Sequence, residues 1–243
     1  MSVFLRFFAV FALLLSLAAA PAFSAVKSLD DDDDYLFESA GQVVPDPLEP
    51  LNRAVFKFND VVLEHVARPA YKGYAAVTPE PVRTGIKNFF HNLSFPVRFV
   101  NNLLQGKGKA AGVEMSRFIL NTTAGLGGIF DVAKDKKPIV PVEDEDFGQT
   151  LGVWGAGEGM YIVWPLIGPS TVRDSAGRVG DYFLEPLTYV QPWEVALGAN
   201  ALKTFNSLDD VLDLYDELKK TSVEPYSSVR DAYVQYRRAK IAK

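Results

Sequence analysis

Three times in its first half this chain places proline in the opening turn of a short amphipathic segment, and that punctuation limits it to brief, strongly two-faced helices. In Asp46-Pro47-Leu48-Glu49, Asp46 is placed to cap a helix, Pro47 suits its first turn, Glu49 completes an acidic capping box, and Pro50 restarts or kinks the helix. Leu51, Val55, Phe58 and Val62 then recur at helical spacing, while Arg53, Lys57, Asp60 and Glu64 form a second stripe. One face is apolar and the other is ion-paired. Thr78-Pro79-Glu80-Pro81 predicts a helix through about Phe90, and Ser94-Phe95-Pro96 predicts another through Leu104, closed by Gln105-Gly106. Residues 115–123 predict a third that stops near Gly125. Farther on, Ser170 is placed to cap a helix carrying Val172, Ala176, Val179 and Phe183 on one face. Ser207 with Asp210 reads as a capping box ahead of Val211, Leu212 and Tyr215. A last helix over 226–241 sets Val229, Tyr233 and Tyr236 opposite Arg230, Arg237, Arg238 and Lys240.

Ahead of these segments, Arg6 precedes an apolar run from Phe7 to Ala20 and small residues follow it, the pattern of a secretory signal peptide over 1–24. Asp30 to Asp34 are five consecutive aspartates without the glycine and spacing of a calcium loop, so 25–45 reads as an acidic, disordered tether. Beyond the leader the longest apolar stretch is Met160 to Ile167, interrupted by Pro165, far short of the roughly 20 residues of a spanning helix. Repeated strand-length alternation is absent, which argues against a membrane barrel. Membrane contact therefore falls to amphipathic faces in one leaflet. Twenty-five Lys and Arg against 30 Asp and Glu leave a net charge of -5, without the basic footprint of a nucleic-acid binder.

The middle of the chain changes texture. Gly125, Gly127 and Gly128 precede Ile129-Phe130-Asp131, a charged loop runs from Lys134 to Asp146, and residues 154–165 mix glycine with Trp154, Tyr161 and Trp164. Tryptophan and tyrosine favour wet–dry boundaries, so this last stretch reads either as a membrane-interface loop or as a buried turn plugged by rings.

Sites for chemistry are scarce. With zero cysteines the chain has no thiolate nucleophile or thiolate metal site, and the two histidines, His65 and His91, stand in no zinc-binding pattern. No GxSxG elbow occurs, and the glycine-rich stretches lack the last glycine of GxGxxG and the lysine of a P-loop. Glu143 to Asp146 could supply paired carboxylates, but four adjacent acids cannot converge on one point. Neither a catalytic residue, a metal site nor a cofactor is expected. The residues favour binding or conducting something amphipathic over making or breaking bonds.

In order along the chain, Asp46-Pro47-Leu48-Glu49, Asn52-Arg53, Phe58-Asn59, Arg68-Pro69, Pro81-Val82-Arg83, Asn92-Leu93, Leu104-Gln105-Gly106, Arg117-Phe118, Asp131-Val132-Ala133, Phe147-Gly148-Gln149-Thr150-Leu151-Gly152, Gly168-Pro169-Ser170 and Arg173-Asp174 resemble the MlaA (VacJ) family of outer-membrane lipoproteins. The resemblance is strongest over 46–191 and leaves 192–243 as C-terminal helices of one domain, 46–243. It implies an all-α, ring-like domain whose amphipathic helices lie in the inner leaflet of the outer membrane around a central channel. It implies removal of mislocalised phospholipid from the outer leaflet, delivery to a soluble periplasmic carrier, and binding to a trimeric porin. It also implies that Phe58 and Asn59 influence whether the channel is open, that Asp131 belongs to the channel or its gate, and that the loop from Lys134 to Asp146 is a candidate gate. Asn59 reads either as a polar residue that tethers neighbouring helices or as a satisfied core amide. In this membranous context Trp154, Tyr161 and Trp164 are expected at the interface.

The family's lipidated cysteine is missing from this sequence, so the expectation is ordinary signal cleavage and membrane retention through protein contacts. Two other readings stand beside the transport reading: an exported envelope hydrolase, and a porin-associated adapter that conducts no lipid.

Overall fold

The computed structural model describes residues 44–134, 136 and 139–243. The leader and most of the acidic tether lie outside those residues. The tether's last two positions belong to the fold: Val44 is buried and the Pro45 carbonyl accepts the Tyr161 amide at 3.0 Å.

The architecture is helical with one small sheet. Helix α1 (Glu49–Val62) runs through a π-helical turn (Leu63–Ala67) into α2 (Arg68–Val77). Pro69 has no N–H to donate to the turn before it, and at this point the Arg68 amide reaches five residues back to the Leu63 carbonyl. Then follow α3 (Glu80–Leu93), α4 (Phe95–Leu104), α5 (Gly108–Thr123) and α6 (Phe147–Val153). A hairpin of β1 (Tyr161–Trp164) and β2 (Gly168–Thr171) precedes α7 (Val172–Tyr182), a 3-10 turn (Pro186–Tyr189), α8 (Trp193–Asn206), α9 (Leu208–Thr221) and α10 (Pro225–Ala242). The hairpin is antiparallel, with Tyr161 opposite Thr171 and Trp164 opposite Gly168.

The helices around Pro81, Pro96 and Tyr226 form where the sequence places them, and α5 starts earlier, at Gly108. Two capping boxes do not form. Helix α1 begins after Leu48 without a side-chain cap, because the Asp46 carboxylate instead accepts from Asn52 and from the Tyr226 hydroxyl. Ser207 turns back to donate to the Lys203 carbonyl, so α9 also opens uncapped. Ser170 lies within β2, where its hydroxyl donates to the Thr171 carbonyl at 3.3 Å. The hairpin itself escapes a helix-based reading: Tyr161 and Val163 point inward and Ile162 and Trp164 outward, an alternation only four residues long.

The chain divides into two compact units. The first contains the described part of Met1–Tyr74 with Gly157–Val172 and Leu197–Lys243. Its core is conventional: Val44, Tyr161, Val163, Tyr226, Tyr233 and Val234 form a cluster against which Val55 and Phe56 pack. Leu208, Val211, Leu212 and Tyr215 of α9 are also buried. The second unit contains Ala75–Ala156 and Arg173–Ala196. There α6 and α7 approach so closely that a Cβ on Gly177 would stand 2.3 Å from the Gly148 nitrogen.

Candidate functional site

In the first unit, α1 is reversed in polarity relative to a water-soluble helix. Leu51, Phe58 and Val61 are exposed, Phe58 by half, whereas the fully buried residue is Asn52. The apolar stripe read from the sequence is therefore split, with Leu51 and Phe58 on the outside, Val55 packed against the core and Val62 partly buried. Asn52 donates to the Asp46 carboxylate at 2.7 Å and to the Tyr161 carbonyl at 3.1 Å, and accepts the Val163 amide at 2.9 Å. Two turns on, Asn59 donates to the Trp164 carbonyl at 3.0 Å and accepts the Leu166 amide at 2.7 Å. Asn59 is thus a tether from helix to hairpin, not between two helices.

The second unit is turned inside out. Its buried apolar residues are Phe90, Phe95, Ala111, Ala133 and Leu187, outnumbered by buried Asn92, Asn101, Asn102, Asn121, Gln149 and Thr150 together with the charged Arg98, Glu114, Arg117, Glu145, Arg173 and Asp174. Meanwhile Leu126, Phe130, Trp154, Val179, Tyr182 and Phe183 are each more than half exposed. Charged side chains are buried only when paired, and here Arg98 meets Glu114 at 2.9 Å and Arg173 meets Asp174 at 3.1 Å. Asn101 accepts from the Thr150 hydroxyl at 2.7 Å and donates to Asp181 at 3.0 Å, so α4, α6 and α7 are joined through polar side chains.

Asp131 fastens the segment after α5 to that helix. It accepts from Arg117 at 2.7 Å and Asn121 at 2.9 Å, while Asn121 accepts the Ala133 amide at 3.1 Å and Arg117 also donates to the Ile139 carbonyl. Gly128, at φ 96°, passes so near Asn92 that a Cβ would lie 2.4 Å from the Asn92 Cβ. Arg117, Asn121 and Asn92 were not singled out as loop holders in the sequence; the available signal is a polar residue on the inward stripe of an otherwise apolar helix.

The far end of the candidate gate is fixed as well. Asp144 lies 3.1 Å from His91 and 3.4 Å from Arg98, Glu145 accepts from Lys107 and Gln105, and Asp146 caps α6 through the Gln149 amide at 2.8 Å. These neighbouring acids diverge to separate partners, so they form no carboxylate pair. Among the described residues no cluster of His, Asp and Glu has the arrangement of a metal site.

The three aromatic candidates separate. Trp154 and Trp164 expose 56% and 40% of their surface, and the Trp154 indole N–H is satisfied by the Leu104 carbonyl. Tyr161 is fully buried among Tyr226 and Tyr233, where desolvation pushes its phenol well above the usual range. It is a core residue and offers no surface to an interface, because the inward phase of β1 fixes its direction.

Among the described residues no helix is long and apolar enough to cross a membrane. A helix-rich chain with an apolar exterior over a polar interior in one unit belongs, as a class, with proteins that meet lipid through amphipathic surfaces. The family model "MlaA lipoprotein" matches residues 44–240, and the chain belongs to that family. It is 38% identical over 192 residues to the intermembrane phospholipid transport system lipoprotein MlaA of Escherichia coli K12, covering 78% of this chain and 76% of that one. The MlaA of Haemophilus influenzae is 36% identical over 199 residues, with the same coverage of 78% and 76%. An uncharacterised protein of Rickettsia bellii is 34% identical over 217 residues, covering 87% of this chain and 84% of its own. A solved structure described as "Structural basis for maintenance of bacterial outer membrane lipid asymmetry" matches with TM-score 0.71 and 36% identity, over 81% of this chain and 99% of the other.

Proposed function

We propose that this protein is the outer-membrane component of a phospholipid transport system, taking mislocalised phospholipid from the outer leaflet and passing it to a soluble periplasmic carrier. The observation that carries this reading is the reversed polarity of the second unit: exposed Leu126, Phe130 and Phe183 suit acyl chains, and the buried Arg98–Glu114 and Arg173–Asp174 pairs would be wasteful in a water-soluble core. Phospholipid moves without bond cleavage, so the protein is not an enzyme and needs no cofactor. Net direction is set by the affinity of the carrier downstream.

Phe58 on the exposed stripe of α1 and Asn59 on its hairpin side govern whether the lipid route is open. Asp131 and the loop from Lys134 to Asp146 act as its gate, held at Arg117 on one side and His91 on the other. The protein resides on the periplasmic side of the outer membrane after signal cleavage. It is held there by its exposed apolar faces, including Trp154 and Trp164, and by a trimeric porin.

Gentle detergent extraction of the full chain from outer membranes, with the bound lipid analysed by mass spectrometry, tests this reading. Intact phospholipid should copurify. Lysophospholipid or free fatty acid generated by the pure protein would favour the hydrolase reading, and porin without lipid would favour the adapter reading.

A further inference from the structure

We propose that Asn52 is a positioning residue for the lipid route: it holds the outer edge of β1 while Asn59 holds the turn that follows, a two-point clasp by which α1 and the hairpin move as one piece. Each amide bridges a carbonyl and the N–H two residues on, Asn52 at Tyr161 and Val163 and Asn59 at Trp164 and Leu166. At Asn52 that is the pairing a further strand would supply, whereas Asn59 takes the backbone groups at the entry to the turn. A sheet edge left open presents unpaired backbone groups, and Val163 lies opposite Pro169 in the hairpin. Here the edge is closed by the Asn52 side chain and by Pro45, whose carbonyl takes the Tyr161 amide.

The spacing explains why a helix can do this. Seven residues of α-helix return to nearly the same stripe after a rise of about 10.5 Å. Three residues of strand, from Tyr161 to Trp164, advance about 10 Å. The two amides therefore reach the outer edge of β1 and the turn after it without bending either element. On its other stripe α1 exposes Phe58 and Val61, and the clasped turn exposes Trp164, so these apolar groups keep a fixed spacing as they meet lipid. Asn52 is fully buried and engaged three times, which makes it the fixed point of the pair, with half-buried Asn59 at the turn.

This inference rests on the transport reading for its consequence and on geometry alone for the clasp, so the test has two arms. Backbone hydrogen exchange is measured on the detergent-solubilised full chain, and surface phospholipid is measured with a membrane-impermeant amine label in cells carrying the same variants. Asn52→Ser should speed exchange at Val163 by about five- to tenfold with helical content kept, and should change surface phospholipid as Asn59→Ala does. The double variant should be no worse than Asn52→Ser in the cell assay, because a clasp released at its fixed point is already lost. Should Asn52→Ser not fold, Asn59→Ala must by itself speed exchange at Leu166 and weaken protection at Val163, since the two bridges act together.

Unchanged Val163 exchange in folded Asn52→Ser, or Asn59→Ala acting on Leu166 alone, overturns the clasp. Faster exchange with wild-type surface phospholipid overturns the positioning role and leaves Asn52 a residue of the fold. If deleting the wild-type protein leaves surface phospholipid unaltered, the transport reading fails separately, and the exchange arm still decides the clasp.

Discussion

Leu166 sits at φ 62°, a left-handed conformation unusual for leucine, and Asn59 accepts its amide at 2.7 Å. That conformation disfavours a β-carbon by about 1–2 kcal/mol, and the hydrogen bond returns about 1 kcal/mol. Asn59→Ala should therefore destabilise the first unit by about 1–2 kcal/mol, with water replacing part of the loss because the site is half-buried. Leu166→Gly in that background should restore part of the stability by relieving the backbone. Chemical denaturation of the single and double variants measures both effects; a double variant less stable than Asn59→Ala would contradict the account.

The inverted second unit predicts opposite responses inside and out. Glu114→Leu takes the buried carboxylate from Arg98 and leaves it the His91 carbonyl and the more exposed Asp144, so it should cost about 2–3 kcal/mol, seen as faster proteolysis of that unit. Ile119→Asn lies on the same helix but is half-exposed, so stability in detergent should change by less than about 0.5 kcal/mol while retention in outer-membrane fractions falls.

Gly128→Ala adds a Cβ where φ is 96° and Asn92 already fills the space. The segment must shift, releasing the Asn92 contacts to Thr122 and the Gly127 carbonyl. A loss of roughly 2–4 kcal/mol and faster exchange at Ala133, whose amide Asn121 holds, are the expected results.

Acid should loosen the first unit. Glu224 is lowered from 4.5 to about 2 by hydrogen bonds from Arg53 and from Ser227. The Arg68 guanidinium likewise holds Asp216 below the usual range. Burial alone would raise Asp60, but hydrogen bonds from Tyr215 and Lys219 outweigh it and hold that carboxyl down too. Depressed carboxyls stabilise the folded state above their ordinary range and cease to do so as they protonate. Thermal midpoints should be flat above pH 5 and fall from about pH 4.5 toward pH 2, less steeply in Glu224→Gln. Half-exposure of the Arg53–Glu224 pair keeps its own share small.

The helices were legible because proline and the period of apolar residues are local signals: the starts near Glu80 and Phe95 follow directly from Pro81 and Pro96. Which side of a helix faces inward was not. The stripe of Leu51 and Phe58 looks like any core face, and only the contacts of Asn52 and Asn59 with a hairpin more than a hundred residues away reveal that α1 buries amides instead. Asp46 illustrates the same limit, since its capping geometry was overridden by Asn52 and by Tyr226 on α10. Tyr161 was misplaced because a four-residue alternation cannot be told from a mixed apolar run until β2 fixes its phase. Asp131 stands out in the sequence only through the family resemblance, although its partners Arg117 and Asn121 lie one helical turn apart on α5.

The central claim is that this chain keeps phospholipid out of the outer leaflet. In the bacterium that encodes it, deleting the protein and labelling intact cells with a membrane-impermeant amine reagent measures surface phosphatidylethanolamine directly. Labelling should rise on deletion, return to its starting level with the wild-type chain, and stay high with Asn59→Ala. Labelling that does not change on deletion would contradict it.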